Sequence, residues 1–74
     1  MELKHGNLYR VKTAFTPALD SRGTLIAEGT ILRYDFYSSL SPNKMFWSSE
    51  IENGWQISRL LTQLELINLE EISD

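Results

Sequence analysis

Few residues in this 74-residue chain are of types that do chemistry. His5 is the single histidine, and there is no cysteine. Disulfides, thiolate zinc sites and cysteine nucleophiles are therefore excluded. One histidine without a cysteine also argues against a transition-metal site. A general base needs partners held within hydrogen-bond reach. Nothing near His5 in the sequence supplies them, and it lies close to a terminus of the kind that frays. Glu50 and Glu52 stand two apart, so on a strand they point to one face. Paired carboxylates can do acid–base work when their environments separate their pKa values. The plainer reading is two solvated charges beside a hairpin tip, with Arg59 as a cross-strand neighbour of Glu50. Glu65, Glu70, Glu71 and Asp74 form an acidic end. It reads as a solvated face, with phosphate mimicry or a basic partner as the sharper alternative. These residues imply no cofactor, no metal and no enzyme.

The aromatic residues carry more functional signal. Tyr9, Phe15, Tyr34, Phe36, Tyr37, Phe46, Trp47 and Trp55 make eight aromatic rings in 74 residues. A core of this size uses only some of them. Trp and Tyr are enriched at binding hot spots because each buries a large area and keeps a polar handle. Tyr37, Trp47 and Trp55 fall at strand ends or on the less settled face of a hairpin. With Arg33 at the rim, they are the candidate partner-binding residues.

Size and charge bound what could position such residues. The chain is one domain, residues 1–74, and buries only about 60–65% of the surface its unfolded form exposes. A water-excluding active site is hard to build on such a core. A surface site is easier. The absence of cysteine, of an apolar leader and of any apolar run near the roughly 20 residues that span a bilayer leads to the expectation of a cytoplasmic protein with no membrane partner. Net charge is −3. Residues 1–49 carry a balance of +2 and residues 50–74 a balance of −5. Phosphate contacts would have to come from the first part, with Arg10, Lys12, Arg33 and Lys44 as the candidates.

Turn signals cut the chain into short pieces, the spacing of a small barrel or sandwich. Residues 8–15 alternate, with Tyr9, Val11 and Phe15 on one face and Arg10, Lys12 and Ala14 on the other. Residues 16–23 read as a loop, with turn chemistry in Asp20-Ser21-Arg22-Gly23. Residues 24–26 form a short strand, and Gly29 suits a turn with positive φ. Residues 30–37 are rich in β-branched and aromatic types and give the clearest strand, with Leu32, Tyr34 and Phe36 on one face. Residues 44–52 and 55–61 make a hairpin closed by Asn53-Gly54, the preferred pair for a type I′ turn. A two-residue turn pairs Glu52 with Trp55, Ile51 with Gln56, Glu50 with Ile57, Ser48 with Arg59, Trp47 with Leu60 and Phe46 with Leu61. Residues 62–74 are ambiguous. As a helix they align Leu60, Leu61, Leu64, Ile67 and Ile72 on one stripe. As a strand they would close a barrel. Leu and Glu content favours a short helical element.

The order of elements, with Gly6-Asn7-Leu8-Tyr9-Arg10-Val11, Glu28-Gly29-Thr30 and Asn53-Gly54-Trp55, resembles an SH3-like small barrel over residues 6–69. It is also similar to small bacterial barrel domains. The resemblance implies a mainly β fold of about five strands with a short C-terminal helical element. It implies binding of peptides, nucleic acids or other proteins. The loop between Phe15 and Gly23 lacks the acidic cluster and the Ala-Leu-Tyr-Asp-Tyr signature of peptide-binding SH3 domains, so proline-rich ligands are not implied. The expected function is a non-catalytic protein-binding module, acting as an accessory, regulatory or inhibitor protein through Arg33, Tyr37, Trp47 and Trp55. The alternative is nucleic-acid binding by base stacking on the aromatics. Self-association through short sheet edges is a further expectation.

Overall fold

A computed structural model describes residues 2–35 and 43–72. Its frame is set by alternation. In β1 (Leu8–Val11) Tyr9 and Val11 are buried and Leu8 and Arg10 exposed. In β2 (Ile31–Tyr34) Leu32 and Tyr34 are buried while Arg33 is exposed. In β3 (Lys44–Glu52) Phe46 and Ser48 are buried. In β4 (Trp55–Leu61) Ile57, Arg59 and Leu61 are buried. Period-two patterning places these side chains on one inner face, as expected for half-buried strands. A 3-10 helix, Gln63–Asn68, then leads into β5 (Leu69–Glu71). All pairings are antiparallel, and the order across the single sheet is β4-β3-β2-β1-β5. The sheet is open, with β4 and β5 at its edges.

The mainly β architecture and five strands match the sequence reading, but the strands are not all the expected ones. Residues 24–26 form no strand and keep a single bridge, Ile26 to Phe15. The first strand stops at Val11 rather than running to residue 15. The cause is the turn at residues 27–30, where Thr30 N–H donates to Ala27 O at 3.2 Å and Gly29 N–H reaches Val11 O at 2.8 Å. Gly29 has φ +92°, which its lack of a Cβ permits. This turn draws the partner strand away from β1, and the two segments meet again only at Phe15 and Ile26. Within the expected strand 30–37, β2 ends at Tyr34, and Phe36 and Tyr37 lie outside the described residues.

The hairpin tip keeps the expected register. Glu52 pairs with Trp55 and Ile51 with Gln56, around Asn53 (φ 52°) and Gly54 (φ +83°). Further down the register slips by two. Phe46 pairs with Arg59 and Trp47 with Ser58, in place of Leu61 and Leu60. Residues 48–50 bulge out opposite Ile57. Ser48 explains the slip. Its Oγ accepts the Glu50 N–H at 3.0 Å and donates to Glu50 Oε1 at 2.7 Å. A local side-chain bond of this kind competes with the ladder. Because the slip is two residues, every side chain keeps its face.

The C-terminal stretch is both things the sequence allowed, a 3-10 turn and then a strand. The expected apolar stripe is reversed, however. Leu64 and Ile67 are exposed, whereas Leu66 and Leu69 are buried. A 3-10 helix has three residues per turn, so Leu64 stacks under Ile67 and Leu66 under Leu69. The second pair carries the chain into β5 and the core.

That core is Tyr9, Val11, Ile26, Leu32, Tyr34, Phe46, Leu61, Leu66 and Leu69, with Leu3 and Phe15 packed against it. Phe46 sits between two tyrosines. Its ring centroid is 6.1 Å from that of Tyr9, edge to face at 87°, and 5.5 Å from that of Tyr34. Such geometry is the preferred contact between ring quadrupoles. Among the described residues no helix is long and apolar enough to cross a membrane.

Candidate functional site

Two surfaces and one buried network follow from this frame, and each rests on a different local cause. On the outer face, Arg33 of β2 lies directly opposite Trp47 of β3. Directly opposed residues in an antiparallel pair share a face. Leu8 flanks Arg33 on the β1 side and Ser58 flanks Trp47 on the β4 side. The Trp47 ring is half-buried, and its Nε1–H donates to Asp35 Oδ2 at 2.9 Å. Its polar handle is thus committed within the chain, and its apolar body forms part of the outer face.

Trp55 is elsewhere. It begins β4 at the hairpin tip and is 78% exposed. Its parity is that of Ile57 and Arg59, opposite to that of Gln56 and Ser58. Trp47 and Trp55 therefore leave opposite sides of the hairpin. The type I′ turn sets the tip, and an Arg22–Glu52 ion pair ties it to the 16–25 loop. Ile51, on the strand before the turn, is also exposed. Of the four expected site residues, Arg33 and Trp47 are brought together and Trp55 is separated from them. Tyr37 lies outside the described residues.

The third feature is one that sequence reasoning placed on the surface. The Arg59 side chain is only 2% exposed, with Asp20 at 5% and Glu50 at 26%. Glu50 and Arg59 are therefore not a solvated pair beside the tip, as the spacing suggested. Glu50 keeps the inward parity of Phe46 and Ser48, and its bonds to Arg59 and Ser48 hold it there. Arg59 Nε and Nη2 donate to the two Glu50 oxygens, each at 2.9 Å. Its Nη1 donates to Asp20 Oδ2 at 2.9 Å and to Thr24 O at 3.0 Å. Asp20 Oδ1 also accepts the Leu60 N–H at 3.2 Å. This planar fork suits bidentate recognition of a carboxylate. The Arg59 bonds hold the Glu50 pKa below the ordinary value near 4.5, against the opposing effect of burial and with help from Ser48 and the nearby positive charges. The guanidinium pKa is raised in turn, first by Glu50. The network fastens the loop at Asp20 and Thr24 to the back of the hairpin. The sequence signal for it was the turn chemistry of residues 20–23 together with an arginine at an inward position of β4.

The basic residues do not form one surface. Arg10 and Arg33 lie on the outer face, but Arg10 is paired with Glu70 at 2.6 Å. Lys44 opposes Leu61 and has the inward parity. Lys12 lies beyond the end of β1, beside the 3-10 helix. The described part of the acidic end is also engaged, and Asp74 lies outside the described residues. Glu65 accepts from Thr62 and Ala18, Glu70 from Arg10, and Glu71 from Asn7. His5 is exposed in the turn before β1. Among the described residues no group of three or more His, Cys, Asp or Glu side chains is placed to hold a metal ion. The chain matches no family model, no curated protein and no solved structure.

Proposed function

We propose that the chain is a non-catalytic protein-binding module on an SH3-like small barrel, working as an accessory, regulatory or inhibitor protein. The strand order, the long connection between β1 and β2, the Asn-Gly hairpin and the 3-10 turn before the last strand support the barrel reading. The observation that carries the binding reading is Trp55. A ring 78% exposed, on a tip fixed by its turn and by Arg22–Glu52, is a preorganised anchor. Burying such a ring in a partner's pocket is the usual source of a hot spot. Arg33 and Trp47 are a second contact on the outer face, and Tyr37 is kept as a proposed contact residue on its sequence alone.

Nucleic-acid binding is the second reading, favoured by the guanidinium of Arg33 beside the indole of Trp47. That pair fits a base stacked over a backbone phosphate. The Glu70 pairing of Arg10 and the Asp35 acceptor under Trp47 weigh against it. Capture of partners from the native host with wild type, Trp55→Ala and Trp47→Ala tests the site. Loss of a captured protein with Trp55→Ala is the expected result, and retention of every partner by both variants overturns it. A salt titration against single-stranded DNA and RNA separates the second reading. Binding that falls steeply with salt and vanishes in the double variant Arg10→Ala, Arg33→Ala belongs to nucleic acid. Sedimentation of the same samples shows whether the patch instead joins two copies.

A further inference from the structure

The 3-10 helix presents an apolar pair to solvent on a rigid mount. Leu64 is 86% exposed and Ile67 76%. Three residues apart on a three-residue turn, they stand one above the other. Their exposure is not looseness. Glu65, between them, accepts the Thr62 N–H and the Ala18 N–H, each at 2.8 Å. Asn68 Nδ2 donates to Glu65 O at 3.1 Å, and Asn68 O accepts the Lys12 N–H at 2.8 Å. Leu66 and Leu69 anchor the other side in the core.

Beside this pair lies an open groove of about 490 Å³, lined by Lys12, Gln63, Leu64, Leu66, Ile67 and Leu69. A volume of this order is typical of small binding sites. Lys12 is its single charged residue, and no ion pair is formed by its ammonium among the described residues. The acids of the 3-10 helix and β5 are committed to other donors. Glu65 serves Thr62 and Ala18, Glu70 serves Arg10, and Glu71 serves Asn7. The groove thus combines an apolar ridge, an amide at Gln63 and an uncompensated cation.

We propose that this groove docks a short acidic–apolar segment of a partner protein. An aliphatic side chain seats against Leu64 and Ile67, and a neighbouring carboxylate pairs with Lys12. The Gln63 amide is placed to bond the segment's backbone. The surface is separate from the Trp55 tip and stands whether or not the tip binds anything.

The test is a titration of the ¹⁵N-labelled chain with the probe peptide acetyl-Leu-Glu-Leu-Asp-Leu-amide, followed by amide chemical shifts. A control peptide carries Gln and Asn in place of the acids. The expected result is movement of the amides of Lys12 and residues 63–69, with residues 54–56 unmoved. The control binds about threefold more weakly, the range of an exposed ion pair. Lys12→Gln abolishes that difference. Leu64→Ser weakens both peptides and keeps a dispersed spectrum, since the side chain it removes is exposed. The proposal is overturned if those amides stay still at about 2 mM peptide, weaker than the affinities such grooves reach. Equal binding of the two peptides to wild type also overturns it. So does a shift of the same amides on concentrating the chain alone, which would make a second copy the occupant.

Discussion

Around Phe46 the inner face of the sheet is dry, with Tyr9, Tyr34, Leu32 and Leu61 closing over one another. Directly across the ladder from Phe46 sits Arg59, where the same face becomes ionic. The two regions share strands β3 and β4 but are held by different physics. The dry side gains from removal of apolar area and from close packing, neither of which depends on direction. The ionic side gains from hydrogen bonds that fix direction, and it loses heavily if one partner is missing. The contrast teaches that the 16–25 loop is held by directed polar bonds, with the Arg59 guanidinium at their centre. The sheet owes its shape to rings and aliphatic side chains.

Four measurements test that contrast, and the largest effect is expected on the dry side. Phe46→Ala should cost about 3–5 kcal/mol. That is a large share of the roughly 4–11 kcal/mol a 74-residue domain has in all. Urea denaturation should show the midpoint lowered by that loss, with the slope unchanged. A stability loss under about 1 kcal/mol would mean the core closes without this ring.

Arg59→Met comes next, at about 3 kcal/mol, because it strands Asp20 and Glu50 without their donor. The triple variant Arg59→Met, Glu50→Gln, Asp20→Asn should recover part of that loss. If the single and triple variants are equally unstable, the cost lies in lost packing and not in orphaned charge.

The third effect depends on pH. Glu50 has a folded pKa below its unfolded value near 4.5, chiefly through the Arg59 bonds. Its contribution is therefore fully present above about pH 4.5 and is lost as pH falls through the folded value. Wild type should lose more stability between pH 7 and pH 3 than Glu50→Gln does. Parallel curves for the two proteins would remove Glu50 from the account.

Trp55→Ala should be the mildest, within about 0.5 kcal/mol of wild type, since the ring is mostly in water. In Trp47→Phe, where Trp55 is the remaining indole, emission should be red-shifted and readily quenched by acrylamide. A blue-shifted, protected spectrum would place Trp55 against the fold and undo its role as an anchor.

Much of this was legible in the residues. The inward set Tyr9, Val11, Leu32, Tyr34 and Phe46 follows from alternation alone, because strand geometry forces neighbours to opposite faces. The Asn53-Gly54 turn and the tip pairing follow from the few backbone conformations that reverse a chain in two residues. What escaped was non-local. The two-residue slip depends on Ser48 capturing Glu50, a bond whose advantage appears only when Arg59 waits beneath. The candidate site was half legible. Arg33 and Trp47 are adjacent because two strands pair in one register, and no periodicity within either strand states that register. Trp55 was chosen correctly as a surface ring but not as a separate one.

Composition and order of residues thus determined the class of structure, its faces and its turns, since those depend on near neighbours in the chain. The folded structure decided which arginine is buried and which leucines of residues 64–69 face water. It also decided which acids are already engaged. Each of those outcomes depends on a partner tens of residues away, such as Asp20 for Arg59 and Ala18 for Glu65. Burial and charge compensation are properties of contacts in space, and only the assembled sheet brings those contacts into being.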